Sequence, residues 1–328
     1  MMTHSCLETK SGHPLVNDSP VLHPPRRGVA DRALGAFLGL AVGDALGTTL
    51  EFTRRDSRPH HAEITGDGPF RLPAGAWTDD TAMAVALARS LLSRGRFDAR
   101  DVMDGFLAWW RHGEHSCTGT CFDIGNTTAR SLARFEATGE VLAGSTDAGE
   151  AGNGALMRLA PVAVATFDDA AEAHRLAALS SRLTHGAPQS VDACTFFAQI
   201  LHEAFARGDP LAPRALDAHP EVAAVAAGGW RGKERDEISS SGYVVHTLEA
   251  ALWCVGRTKT FEDAVVLAVN LGHDADTVGA VTGQLAGAIH GASSIPQRWL
   301  ATLAWRDELV RLGDGLFSAS PAAAVGRG

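Results

Sequence analysis

Two short acidic clusters hold the densest chemistry in the chain: Thr78-Asp79-Asp80-Thr81 and Asp274-Ala275-Asp276-Thr277. The first follows the turn-like Pro73-Ala74-Gly75-Ala76-Trp77, the second Asn270-Leu271-Gly272-His273, and each opens an apolar run with helical spacing. One reading is structural. Thr78 or Asp274 would be an N-cap, and acids in a first turn complement the helix macrodipole by roughly 0.3–1 kcal/mol each. The other reading is chemical. Carboxylates and threonine hydroxyls are hard oxygen donors that suit Mg2+, Mn2+ or Ca2+ rather than zinc or copper. Gathered without a cation the carboxylates repel one another, and a cation offsets that cost. Cys117-x3-Cys121 has no second ligand pair nearby and is no zinc site.

Other candidates are single residues. Asp123, in Cys121-Phe122-Asp123-Ile124-Gly125-Asn126-Thr127, is either a helix cap or an acid of a site. Glu51 follows a glycine-rich helix and has no local explanation. The segment 150–158, Glu-Ala-Gly-Asn-Gly-Ala-Leu-Met-Arg, is a glycine-rich loop whose backbone amides can cradle phosphate oxygens. It lacks the lysine of a P-loop. His185, in Thr184-His185-Gly186, lies just past a helix end, where a contact with the helix dipole is the usual role. No serine sits in a G-x-S-x-G elbow and no cysteine has a nucleophile signature, so covalent acyl chemistry has no support.

The elements that must position these groups read as helices almost throughout. Apolar residues recur at spacings of three and four over 32–47, 80–94, 98–112, 124–138, 169–183, 190–207, 244–254, 261–270 and 277–290. Alternating strand-like runs are scarce. The expectation is an all-α, compact single domain over 31–315, between a flexible N-terminal arm at 1–30 and a flexible tail at 316–328. The arm carries Pro14, Pro20, Pro24 and Pro25, which break any helical period. Two helices share an unusual stripe: Gly35, Gly39, Gly43 and Gly47 in one, Gly279, Gly283, Gly287 and Gly291 in the other. Glycine costs about 1 kcal/mol per helix position against alanine. Close helix–helix approach is the compensation, by the packing logic known from membrane helices.

Composition excludes several classes. Of 328 residues 45% are hydrophobic, enough for a sizeable core. A net charge of −9 and a single tyrosine argue against a general nucleic-acid binder. The apolar stretch 33–46 carries Asp44 and is too short for a bilayer, and no signal peptide is visible. Five scattered cysteines give no disulfide framework. The expected location is cytoplasmic.

In order along the chain, GLAVGDALG, WTDDTAMAVALA, CFDIGNTT, AGNGALMRLAPVA, THG, SGYVVHTLEAALW and NLGHDADTVGAVTGQLAGAIHG resemble the ADP-ribosylglycohydrolase family. The resemblance spans about residues 32–300. It implies an all-α fold with two divalent cations, Mg2+ or Mn2+, in a cleft. By motif match the metal ligands would be Thr78, Asp79 and Asp80 from one side and Asp274, Asp276 and Thr277 from the other. Asp123 would be the acid/base carboxylate, with Glu51 near a second carboxylate at the cleft. Asn126, Asn153, Gly154, His185 and Tyr243 would contact ADP-ribose. His273 stands where many members have Gly or Asp, and Ala275 where many have Thr; neither exchange removes a ligand.

The implied activity is metal-dependent cleavage of the N-glycosidic bond between ADP-ribose and a protein arginine. Direct attack by water and prior opening of the ribose ring both remain open. Two alternatives share the resemblance: hydrolysis of another ADP-ribosyl linkage, and an immunity protein that neutralises an ADP-ribosylating toxin by hydrolysis or by blockade with the N-terminal arm. The expected partner is an ADP-ribosylated protein, with neither membrane nor nucleic acid.

Overall fold

The computed structural model describes residues 26–320, apart from the side chains of Arg26 and Arg27. Thirteen α-helices run through them: α1 Arg26–Gly47, α2 Asp79–Arg94, α3 Ala99–His112, α4 Asn126–Thr138, α5 Ala160–Ala165, α6 Ala170–Thr184, α7 Pro188–Phe205, α8 Pro220–Ala226, α9 Val244–Arg257, α10 Phe261–Val269, α11 Ala275–His290, α12 Gln297–Thr302 and α13 Arg306–Ala319. Pairing of extended backbone is limited, among the described residues, to three isolated bridges, so there is no sheet. The all-α, single-domain expectation holds.

The glycine stripes set the centre of the fold. A Cβ built on Gly39 would lie 2.1 Å from the carbonyl oxygen of Gly283, and one on Gly43 2.1 Å from that of Gly279. One on Gly35 would meet Gly287 O at 2.4 Å, and one on Gly47 would meet Asp276 Cα at 2.4 Å. Rising numbers on α1 therefore meet falling numbers on α11: the helices are antiparallel, backbone against backbone. The dispersion contacts of two helices without intervening side chains offset the propensity cost of the glycines. This register carries the C-terminal end of α1, with Asp44 and the following Glu51, to the N-terminal end of α11, which bears Asp274 and Asp276.

By length and composition alone Gly28–Leu50 could cross a membrane, a longer span than the 33–46 stretch read from the sequence. In this fold 89% of its apolar window is buried. It is the core helix that α11, α13 and α5 surround.

All nine expected helices are present, with ends shifted by a few residues. Four were not read from the sequence. Helices α5, α8 and α12 have six or seven residues, too few to show a period. Helix α13 buries Leu309, Leu312 and Leu316 on one face, but Gly313 and Gly315 interrupt its pattern. It also crosses the expected boundary at 315. Leu316 is buried and Phe317 stacks on Phe167 with ring centroids 4.3 Å apart, so apolar packing holds the helix to Ala319. Helix α1 likewise begins at Arg26, within the stretch expected to be arm. The rest of the arm, 1–25, and the tail beyond 320 lie outside the described residues.

The stripe yields a test. Gly283→Ala would place its Cβ 2.0 Å from Gly39 O, and backbone cannot swing aside as a side chain can. We expect a lower urea midpoint, a loss of about 1–3 kcal/mol from overpacking. Gly232→Ala, with nothing within 4 Å of its built Cβ, should stay within about 0.5 kcal/mol of the parent.

Candidate active site

The two acidic clusters do begin helices, but the residue expected to cap each one does not. Neither Thr78 at the start of α2 nor Asp274 at the start of α11 makes a side-chain cap bond. Carboxylates from elsewhere do that work. Asp44 is fully buried, and its Oδ1 accepts from the Thr78 backbone N–H at 2.9 Å and the Thr78 hydroxyl at 3.0 Å. Its Oδ2 accepts from the Thr81 N–H at 3.0 Å and hydroxyl at 2.6 Å. Glu51 Oε2 accepts from the Ala275 N–H at 2.8 Å, at the mouth of α11. Three backbone N–H groups at these helix starts are thus met from the α1 end, while the Thr277 N–H donates to Asp276 Oδ1 at 2.8 Å. Asp79, Asp274 and Asp276 are left to face a cleft of about 670 Å³ that Glu51 and Asp123 also line.

This cleft concentrates negative charge out of water. Burial pushes the Asp44 and Asp274 carboxyls up to about 7, reinforced in both by Asp276. Burial, then Asp276 and Asp79, pushes Asp123 up to about 11. Glu51, Asp79 and Asp80 are raised too, first by burial and then by neighbouring acids. The residues fit a hard divalent cation. Glu51, Asp274 and Asp276 each offer an oxygen, all within 4.8 Å of one another. Asp80 Oδ1 is buried without any hydrogen-bond partner, while its Oδ2 accepts from the Thr277 hydroxyl at 3.3 Å. An orphaned buried carboxylate oxygen is costly unless a proton or a cation meets it. Thr78 and Asp80 lie behind the cleft lining; the Thr78 hydroxyl reaches Asp276 Oδ2 at 3.3 Å.

The rest of the cleft lining is neutral and rich in donors. Gly125 precedes α4 without a side-chain cap, so Asp123 does not serve that helix. Asn126 to Thr128 at its start line the cleft. The Asn153 side-chain amide donates to Asp274 Oδ2 at 2.7 Å and to the Thr247 hydroxyl at 2.9 Å. Beside it stands His185. A Cβ on Gly154 would lie 2.7 Å from His185 Cε1, so the loop must be bare there for the ring to fit.

Arg158, fully buried, organises this part of the lining. Its guanidinium donates to the Gly154 carbonyl and, at 2.8 Å, to the Thr184 hydroxyl. The Thr184 hydroxyl lies 2.8 Å from His185 Nδ1. Burial, then the Arg158 charge, pushes His185 down to about 3, so the ring is neutral. His185 stands at the C-terminal end of α6 and lines the cleft.

Of the expected site residues, Glu51, Asp79, Asp123, Asn126, Asn153, Gly154, His185, Asp274, Asp276 and Thr277 share one cleft. Tyr243 is not among the lining residues. Its hydroxyl donates to Glu221 and its ring meets His246 edge-on at 5.0 Å. Sequence reasoning passed over the role of Asp44, although an acid within an apolar glycine stripe was the available signal. His273, noted in the sequence beside the second acidic cluster, lines the cleft; Phe52, Ser241 and Gly242 also line it and were not expected there. Single loop residues carry no spacing that would mark them.

An all-α scaffold whose antiparallel helix pair gathers carboxylates at one end defines a class shared with known proteins. A solved structure described as an ADP-ribosylglycohydrolase-related protein complex matches with a TM-score of 0.80 at 45% identity, covering 90% of this chain and 99% of that one. The family model for ADP-ribosylglycohydrolase matches residues 25–324, and the chain belongs to that family. The ADP-ribosylarginine hydrolase Tri1 of Pseudomonas putida (strain GB-1) is 45% identical over 294 residues, 89% of this chain and 79% of that protein. The ADP-ribosyl-dinitrogen reductase glycohydrolase of Rhodospirillum rubrum is 38% identical over 288 residues, 84% and 91% of the two chains.

Linkage gives a measurable consequence. Asp44 and Asp274, at about 7, keep protons in the folded state that unfolded carboxyls release near pH 4. Their contribution is full below about pH 4 and is lost as the pH rises through 7. Between about pH 6.5 and 8 the histidines that burial lowers, His61, His115, His185 and His290, oppose this fall only weakly, since an unfolded histidine is itself half neutral or more there. We expect the melting temperature in chelator to fall across that window, and Mn2+ to remove most of the fall. A flat profile in chelator would count against the mutual repulsion described above.

Proposed function

We propose that this chain is a hydrolase that removes ADP-ribose from arginine on a modified protein, using two divalent cations, Mg2+ or Mn2+. The observation that carries the proposal is the convergence of Asp79, Asp123, Asp274, Asp276 and Glu51 on one cleft that donors such as Asn126, Asn153 and His185 also line. The names of the relatives, an ADP-ribosylarginine hydrolase and a glycohydrolase of ADP-ribosyl-dinitrogen reductase, support arginine as the linkage. We place the reaction in the cytoplasm. The four described cysteines are free, as suits a reducing compartment.

In this reading Asp79, Asp80, Asp274, Asp276, Thr78 and Thr277 hold the cations, with Glu51 beside them. Divalent cations supply Lewis acidity toward the ribose oxygens. This chain's own groups do the rest. Breaking the bond between ribose C1 and the guanidine nitrogen builds oxocarbenium character on the sugar. Asp123, whose carboxyl is pushed up by burial, delivers a proton to the departing nitrogen and then takes one from the water that ends on C1. The neutral His185 ring, the amides of Gly154 and the start of α4, and Asn126 bind the ADP-ribose oxygens. Asn153 holds Asp274 in place. Tyr243, set beside the cleft rather than in it, contacts the nucleotide at its outer end.

The deciding experiment is release of ADP-ribose from an arginine-ADP-ribosylated protein with Mn2+ or Mg2+, and again with chelator. We expect release with metal only, and its loss in Asp79→Ala and Asp276→Ala. Asp123→Asn should lower kcat by about 10²–10⁴-fold, the range of acid–base catalysis, with ADP-ribose affinity retained. Full turnover by Asp123→Asn would remove that residue from the chemistry.

A further inference from the structure

Phe52 is the most exposed of the large apolar side chains among the described residues, at 66%, yet it lies next to the buried Glu51 and lines the cleft. Its backbone is left-handed, with φ 58°, an unfavourable place for a bulky residue. Two hydrogen bonds hold it there. The Phe52 N–H donates to the His273 carbonyl at 2.7 Å, and the His273 N–H to the Thr53 carbonyl at 2.7 Å. His273 is itself left-handed at φ 59°. Strain that a local hydrogen-bond pair over-determines, beside a site, is the kind that is kept for function. Phe52 is also the end of an aromatic row. Its ring meets Phe70 edge-on at 6.0 Å, and Phe70 meets Phe122 at 5.3 Å, next in sequence to Asp123.

We propose that the Phe52 ring is the platform for the guanidinium of the modified arginine, and so a residue that selects the arginine linkage. The proposal rests on the arginine reading given above. A planar guanidinium over a phenyl face gains cation–π attraction and loses little hydration. The row runs from the residue after Glu51 to the residue before Asp123, two carboxyls that line the same cleft, where a cation is favoured. An alkyl alcohol in place of the guanidine would gain nothing from the ring face.

The test measures binding and turnover separately in the full chain with Mn2+. In the Asp123→Asn background, the affinity of ADP-ribosyl-arginine is compared with that of ADP-ribose. We expect Phe52→Ala and Phe52→Leu to remove about tenfold of the affinity for ADP-ribosyl-arginine, within the cation–π range, and to leave ADP-ribose unchanged. Phe52→Trp should retain it. In the otherwise native protein the same variants should raise KM for the arginine substrate with kcat nearly constant. Parent-like affinity in Phe52→Leu would reduce the ring to apolar packing and overturn the proposal. So would an equal loss for ADP-ribose, which would assign the ring to the nucleotide. Absence of turnover on arginine by the parent enzyme would instead count against the arginine reading, and the two-ligand affinity comparison would still decide the role of Phe52.

Discussion

Backbone contact between α1 and α11 is the constraint on which the rest of the molecule depends. Carbonyl oxygens of Gly279, Gly283 and Gly287 lie where side chains on α1 would stand, so the helices are locked in a single antiparallel register. A shift by one residue would put a methyl or larger group into a carbonyl. That register fixes which end of α1 meets which end of α11. It thereby delivers Asp44 and Glu51 to the starts of α2 and α11. The glycines touch no substrate, yet they decide where the carboxylates go.

A second dependence follows from the first. Helix starts need acceptors, and in most helices the residue at the start supplies its own. Here Asp44 and Glu51 supply several of them from a distance, and Asp276 meets only the Thr277 N–H with one oxygen, so oxygens of Asp79, Asp274 and Asp276 remain for the cleft. In the neutral part of the lining, the buried Arg158 ties the Gly154 carbonyl to the Thr184 hydroxyl, which lies 2.8 Å from His185 Nδ1.

Much of this was legible in the residues. The period of apolar positions revealed nine helices, and the paired acids with the paired glycine stripes pointed to one another. The identity of the capping groups was not legible, because a cap from a residue more than thirty positions away leaves no local spacing. Short helices such as α5 and α12 show no period, and α13 hides its stripe behind two glycines. Tyr243 is instructive in the other direction. Its motif matched, but Glu221, far from any motif, takes its hydroxyl and keeps it off the cleft lining.

The separation between caps and cleft acids also bears on how such a scaffold can drift. Asp44 ties two helices together, so losing it costs the fold as well as the chemistry. Asp79 faces the cleft and repels its neighbours, so its exchange for asparagine relieves repulsion in the metal-free protein while, in the proposed function, it removes a cation ligand. Selection for stability alone therefore favours loss of the reactive acids before loss of the supporting ones. Descendants that keep the shape of the cleft and bind without cutting lie a single substitution away, and Asp44 should outlast Asp79 among them.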